Sequence, residues 1–201
     1  MTSHHVVSLF SYIVPIMFLI AYAPQLITTY KTKNATGVSS LFWFLVSLST
    51  AYSLFNILKT GDGTWFTYFG QFINAGVAYI LVFWTNKIKT GYLNAIAITT
   101  IYTVIGSCLF ILVSLEVSQT IATIAIVFAY IDQIIHFIKK KDSQGTNPLL
   151  YLFFSLGLSM LVVTMLLTNV THQAVFTECA NILLLLVCSS LSRKYSKPKL
   201  K

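Results

Sequence analysis

Seven long apolar segments, separated by short polar ones, run along the chain. About 20 apolar residues are enough for a helix to cross the hydrocarbon core of a bilayer. The segments are continuous, whereas the strands of a transmembrane β-barrel alternate over about ten residues. The pattern therefore predicts an all-α polytopic membrane protein, with seven transmembrane helices at residues 6–30, 41–58, 65–84, 92–113, 118–138, 149–168 and 173–191.

The boundary between the fourth and fifth segments is the weakest, because Glu116 is its only charged residue. If this break is not a turn between two helices, the pattern gives six helices and one re-entrant segment. That arrangement is the alternative fold.

Composition supports a membrane location. Of the 201 residues, 56% are hydrophobic and 9% are charged, whereas about a quarter of a soluble domain is charged. No Lys or Arg precedes the first segment, and its apolar run is too long for a secretory signal, so we expect a retained span. Short loops and the lack of sorting motifs favour a bacterial plasma membrane.

The basic residues predict the orientation. Twelve of the 13 lie in the first, third and fifth polar breaks or in the C-terminal tail, and Lys59 is the exception. Basic residues in short loops stay cytoplasmic, so we expect the N-terminus outside and the C-terminus inside, which requires an odd number of spans. The net charge of +8 then reflects topology and contact with anionic membrane lipids, and we expect no nucleic-acid partner.

The chain contains an internal repeat. A shift of 108 residues aligns residues 21–48 with 129–156, with ten of the 28 positions identical, and a shift of 107 aligns Asn74 with Asn181. We therefore expect a first three-helix half at residues 1–86, a linker helix at 87–116, and a second half at 117–201. The linker helix lets both halves face the same way, which is one of the known transporter plans.

The segment Tyr22-Ala-Pro-Gln-Leu26, followed by two lysines and Gly37, resembles the motif of the PQ-loop family. That family contains the SWEET and SemiSWEET sugar transporters, the lysosomal cystine and cationic amino-acid exporters and, more distantly, the KDEL receptor. The resemblance implies the same three-plus-one-plus-three plan. The second half departs from the motif, because Asp132-Gln133 stands where Pro-Gln would be.

Pro24 and Gln25 are predicted to form a gating hinge. A proline inside a helix removes one hydrogen bond and crowds the carbonyl four residues back. In lipid that carbonyl needs another partner, and we expect Gln25 to supply it. The resemblance implies that bending here, and at Gln133 in the second half, opens an inner gate. A static kink is the alternative.

Asn74 and Asn181 are the predicted substrate ligands. Each lies near the middle of its helix, where an unpaired amide is costly, and an amide can both donate and accept hydrogen bonds. The resemblance also implies a pair of asparagines at the substrate site. Gln71 and Glu178, one turn outward, are predicted to complete the site and line an outer vestibule. A hydrogen bond that only packs the bundle is the alternative.

Asp132, His136 and Glu178 are the candidates for proton coupling, because acids inside a membrane are functional by default. Asp132 and Glu178 are expected at different depths and so not in contact. For Asp132, the alternative is an ion pair with His136 or with the lysines at 139–141.

Trp43, Trp65 and Trp84 fall near predicted helix ends, which is typical of the aromatic belt at the membrane interfaces. The resemblance implies a tryptophan in the substrate pocket, but none of these three can be assigned to it. The chain has no catalytic, phosphate-binding or metal-binding motif, so we expect neither enzyme activity nor a cofactor.

Together these observations predict a transporter that moves a small polar solute, a sugar or an amino acid, by alternating access. It would be driven by the solute gradient or coupled to protons, and would act as a monomer or a homo-oligomer. The alternative is a membrane receptor like the KDEL receptor, which binds a ligand without moving it. The basic residues cluster in the cytoplasmic loops and not in the middle of helices, which favours the transporter.

Overall fold

A computed structural model describes residues 3–61, 65–168 and 172–196, which form seven α-helices and no strand. The predicted helices are all present, and most extend a few residues beyond the apolar segments. Their bounds are α1 Ser3–Thr32, α2 Ser40–Thr60, α3 Trp65–Thr90, α4 Tyr92–Leu112, α5 Leu115–Lys140, α6 Pro148–Leu167 and α7 His172–Tyr195.

The weak boundary is a real turn between two helices. α4 ends at Leu112 and α5 begins at Leu115. Ser114 caps α5, because its side chain accepts a hydrogen bond from Val117 N at 3.3 Å, and serine is a preferred residue for this role. Both helices are long and apolar enough to cross a membrane, so the alternative with a re-entrant segment is wrong.

Within the part of the chain that the structure describes, six helices are candidate membrane spans by length and composition, and α3 is not among them. α3 nevertheless runs beside α1 in the same direction. Gly70 lies against Pro15, and the rings of Trp84 and Tyr30 are 6.1 Å apart further along the same two helices. The polar residues that lower the hydropathy of α3 include Asn74, which is buried. The chain is thus an integral membrane protein.

The contacts between helices repeat from one half to the other. α3 packs against α1 and α2, and α7 packs in the same way against α5 and α6. Across the halves, α1 packs against α6 and α2 packs against α5. Exchanging α1, α2 and α3 with α5, α6 and α7 leaves this pattern unchanged, so the two halves are related by an approximate two-fold axis.

Both halves point the same way. The segment 33–39 follows α1 and the segment 141–147 follows α5, and the two segments are in contact at one end of the bundle. α4 packs mainly on α3, with a smaller contact to α2, and exposes large apolar side chains such as Leu93 and Ile111. It therefore connects the halves from the periphery and leaves the axis to the other six helices.

Candidate functional site: a cavity between the two halves

A cavity of about 160 Å³ lies on the approximate axis, between the two halves. Nearly every residue that lines it has its counterpart from the other half in the lining as well. The chemically informative pairs are Tyr22 and Tyr130, Trp43 and Tyr151, Gln71 and Glu178, and Asn74 and Asn181. Equivalent positions of two parallel repeats meet at their shared axis, which is why the pairs converge here.

The two asparagines line this cavity, but their hydrogen bonds differ. Asn74 is 8% exposed, and its Oδ1 accepts a hydrogen bond from the Tyr22 hydroxyl at 2.5 Å. Asn181 is 3% exposed, and its Nδ2 donates to Glu178 Oε2 at 3.2 Å. The Oδ1 of Asn181 has no partner. The halves thus present one engaged and one free amide oxygen, and the role of both asparagines as substrate ligands stays a prediction.

Unpartnered polar atoms are concentrated in the cavity. Within the described ranges, five buried side-chain nitrogen or oxygen atoms lack a hydrogen bond. They are Trp43 Nε1, Gln71 Oε1, Thr99 Oγ1, Tyr151 Oη and Asn181 Oδ1. All except Thr99 belong to residues that line the cavity. Since each such atom costs about 1–3 kcal/mol, four of them around one space indicate a surface that suits a polar ligand.

Trp43 corrects the predicted aromatic belt. Its side chain is 2% exposed, packs against Phe42 at 4.7 Å between ring centres, and lines the cavity. Trp65, in contrast, is 71% exposed. Sequence reasoning missed Trp43 and its counterpart Tyr151, and it treated Tyr22 only as part of a motif. The shift of 108 that pairs Trp43 with Tyr151 was the signal available.

Two crevices adjoin the cavity, one on each side of the axis. The first, of about 330 Å³, lies between α2, α5 and α7 and is lined by polar side chains that include Asn56 and Gln119. The second, of about 190 Å³, lies between α1, α3 and α6, and its lining is mostly apolar. There Thr164 and Ser11 are the counterparts of Asn56 and Gln119. We call them the polar crevice and the apolar crevice.

The sequence led us to expect that Gln25 binds the carbonyl freed by Pro24. In the structure Gln25 has other partners. Its Nε2 donates to Gly145 O at 2.7 Å and to Thr29 Oγ1 at 3.0 Å. Its Oε1 accepts from Asn147 N at 2.9 Å. A glutamine of the first half therefore holds the backbone of a loop in the second half, because that loop presents a free carbonyl and a free amide next to α1.

Gln133 makes the corresponding contacts in the opposite direction. Its Nε2 donates to Gly37 O at 2.7 Å, and its Oε1 accepts from Ser39 N at 2.9 Å. Gln25 and Gln133 are 1% and 0% exposed. The motif glutamines thus form two equivalent clamps, each joining one half to the other.

The two loops that the glutamines bind are also in direct contact with each other. Gly37 N donates to Gln144 O at 2.9 Å, Asn34 Nδ2 donates to Gln144 Oε1 at 2.6 Å, and Thr36 Oγ1 donates to Asp142 Oδ2 at 2.7 Å. A Cβ added at Gly37 would lie 2.4 Å from the backbone of residue 143. The segments 33–39 and 141–147 therefore seal one end of the bundle, which we call the closed end.

Asp132 and His136 belong to this closed end. Asp132 accepts a hydrogen bond from Ser39 Oγ, and His136 Nε2 lies 2.8 Å from Thr36 O. Glu178 lines the cavity and the polar crevice. The acids at 132 and 178 therefore lie in different parts of the molecule, as their positions in the sequence predicted.

Comparison with known families agrees with this architecture. Residues 6–65 match the family model described as the PQ loop repeat. The matched segment runs from the first turn of α1 through α2 to the first residue of α3, and it includes Pro24, Gln25 and Gly37. Residues 6–65 are thus a PQ loop repeat, and the resemblance noted in the sequence is confirmed. This family includes transporters and receptor-like members. A search of curated proteins gave no match.

Proposed function

We propose that the protein moves a small polar solute, a sugar or an amino acid, across the membrane by alternating access and without changing it chemically. The observation that carries the proposal is the group of four unpartnered polar atoms around one cavity shared by the two halves. Four buried polar atoms without a protein partner, grouped around one space, are atoms that a polar ligand can satisfy. Asn74 and Asn181 would bind the solute, with Gln71 and Glu178 beside them.

The closed end supplies the inner gate of this scheme. The solute reaches the cavity from the side of the crevices while the segments 33–39 and 141–147 stay together. Release on the other side requires those segments to part, which breaks the contacts of Gln25 and Gln133. Pro24 lies within α1 next to this clamp and provides a point at which the helix can bend.

The closed end faces the cytoplasm in this proposal. The C-terminal ends of α1, α3, α5 and α7 carry basic residues in their last turns, and such residues stay cytoplasmic. The N-terminus is then outside, and the membrane is the plasma membrane of a bacterium. One chain supplies both sides of the cavity, so a monomer suffices, and a homo-oligomer would repeat the same pathway.

Asp132, His136 and Glu178 remain the candidates for proton coupling. Glu178 can exchange a proton in the cavity, and Asp132 can do so when the gate opens and Ser39 leaves it. Uptake by proteoliposomes with and without an imposed pH gradient distinguishes coupled transport from transport driven by the solute gradient alone.

The test uses purified protein in proteoliposomes and a panel of radiolabelled sugars and amino acids. For any solute taken up, we expect Asn74→Ala and Asn181→Ala each to reduce the initial rate by about tenfold or more, since each removes a polar ligand from a buried site. Asn86→Ala is the matched control, because Asn86 is also a buried asparagine of α3 but bonds within its own helix, to Val82 O at 2.8 Å.

Two results would contradict the proposal. Normal uptake by both cavity variants would show that the two asparagines do not bind the solute. Saturable binding of a panel member, with no flux in any variant or in the parent protein, would make the protein a receptor of the kind the sequence left open.

A further inference from the structure

The cavity meets the polar crevice at a group of hydrogen-bond acceptors. Gln71, Glu178 and Asn181 line both spaces. Gln71 Oε1 and Asn181 Oδ1 are buried without a partner, and the Glu178 carboxylate accepts a hydrogen bond from Asn181 Nδ2. The fully buried, unpartnered atoms at this junction are therefore oxygen atoms that can accept further hydrogen bonds.

The lining also has an acidic side chain without a basic one. Glu178 is the one ionisable acid among the described residues that line the cavity and the two crevices, and none of these residues is Lys, Arg or His. A carboxylate within a membrane is costly unless it is protonated, hydrated or paired with a cation. The protein places no cation in the lining, so a charge on the ligand can provide it.

The internal repeat shows that packing does not require this acid. The counterpart of Glu178 is Gln71, which has nearly the same shape and no charge. Both line the same cavity, at equivalent positions of equivalent helices. Since a neutral amide occupies one of the two positions, the carboxylate at the other adds a chemical property that the fold does not need.

Aromatic rings complete the surroundings. Tyr22, Trp43, Tyr130 and Tyr151 line the same cavity, and aromatic faces attract cations, more strongly where water is excluded. A neutral sugar can stack on these rings too, so the charge of Glu178, and not the rings, is the feature that favours a cation.

From these features we infer that the transported solute carries a protonated amine, which binds where the cavity meets the polar crevice. An ammonium group has three donors and no acceptor, and Glu178, Asn181 and Gln71 present an acceptor each. Glu178 also supplies the opposite charge. This inference rests on the proposed function and narrows its solute class to solutes with a protonated amine.

The experiment compares ligands that differ only in the amine. The probes are ethanolamine with ethylene glycol, and glucosamine with glucose. Binding to purified protein is measured from the concentration dependence of the thermal unfolding midpoint, which rises when a ligand binds the folded state. We expect at least one amine to bind about tenfold or more tightly than its neutral partner, since a hydrogen bond to a charged group is stronger than one to a neutral group.

Two variants use the repeat as a control. Glu178→Gln introduces the residue that its counterpart already has, so the variant should fold. The ratio of the affinity for the amine to the affinity for its neutral partner should fall about tenfold. Gln71→Glu adds a second carboxylate at the junction and should keep or increase the preference.

The outcomes separate this inference from the proposed function. Equal binding of amine and neutral partners, loss of affinity for both alike in Glu178→Gln, or no binding of any amine would each overturn the inference. Uptake of a neutral probe by proteoliposomes would leave the transporter standing with another solute class. Binding of amines that depends on Glu178, with no flux, would instead support the cation site and contradict transport.

Discussion

At the scale of single residues, Gln25 and Gln133 have the clearest physical role. Each satisfies a carbonyl and an amide of the opposite half's loop with one side chain. In a buried setting these backbone groups would otherwise have neither water nor protein as a partner. Glutamine suits the role because its amide offers a donor and an acceptor side by side, which Leu or Glu cannot do.

Replacing either glutamine by leucine should weaken the closed end. Gln25→Leu and Gln133→Leu each leave two buried backbone groups unpaired, and we expect each to cost about 3 kcal/mol. The measurement is the thermal unfolding midpoint of the purified protein. Gln119→Leu is the control, because Gln119 is exposed and its loss should change the midpoint little. A clear loss in only one of the two clamp variants would contradict their equivalence.

The candidate site could be predicted only in part from single residues. Asn74 and Asn181 stood out because an amide in the middle of an apolar helix is costly, and this reasoning needs no coordinates. Trp43 was assigned to the interface because position along a helix does not show which face is buried. The partners of Gln25 could not be predicted either, because they belong to the loop of the other half.

At the scale of elements, two related sets of helices enclose crevices of opposite character. The polar crevice between α2, α5 and α7 and the apolar crevice between α1, α3 and α6 occupy equivalent places in the repeat. Their linings differ because the side chains have diverged while the backbone plan has not. A polar solute should therefore use the polar crevice, and the apolar one should exclude water.

Cysteine labelling tests this difference at equal depth in the membrane. In a background without native cysteines, Asn56→Cys and Gln119→Cys should react at least about tenfold faster with a charged, membrane-impermeant thiol reagent than their counterparts Thr164→Cys and Ser11→Cys. The reason is that the thiolate, which is the reactive form, needs water. Equal rates within both pairs would show that the two crevices are equally hydrated.

The helices themselves were predictable because each must satisfy its own backbone in lipid, so its length can be read from its apolar run. Even the short break at Ser114 could be placed between α4 and α5. α3 shows the limit of this reasoning, since it is not among the apolar span candidates within the described residues. Its place against α1 and α2 is visible only in the fold.

At the scale of the whole molecule, charge and symmetry together distinguish the two ends of the bundle. The last turns of the four odd-numbered helices carry basic residues, and the contact between segments 33–39 and 141–147 lies at the end of the bundle where α1 and α5 finish. The repeat predicted this arrangement, since it aligned the two basic loops. The approximate axis and the crosswise packing of α1 on α6 required the structure, because they depend on contacts between halves.

Reporter fusions test the direction. A fluorescent protein fused after Lys201 should fluoresce in bacterial cells, and alkaline phosphatase at the same place should be inactive, because basic loops stay in the cytoplasm. A fusion to residues 1–113, which ends after α4, is the control and should give active phosphatase. The reverse pattern would place the closed end outside and would make it an outer gate.

The crossed glutamine contacts bear on how such a chain could have arisen. In a single repeat, the glutamine side chain and the backbone groups of the loop would both lack their hydrogen-bond partners. Two identical copies related by a two-fold axis would supply the partners of both. Fusing the copies through α4 keeps this reciprocal bond within a single molecule and frees the copies to differ, as proline and aspartate do at positions 24 and 132, and glutamine and glutamate at 71 and 178.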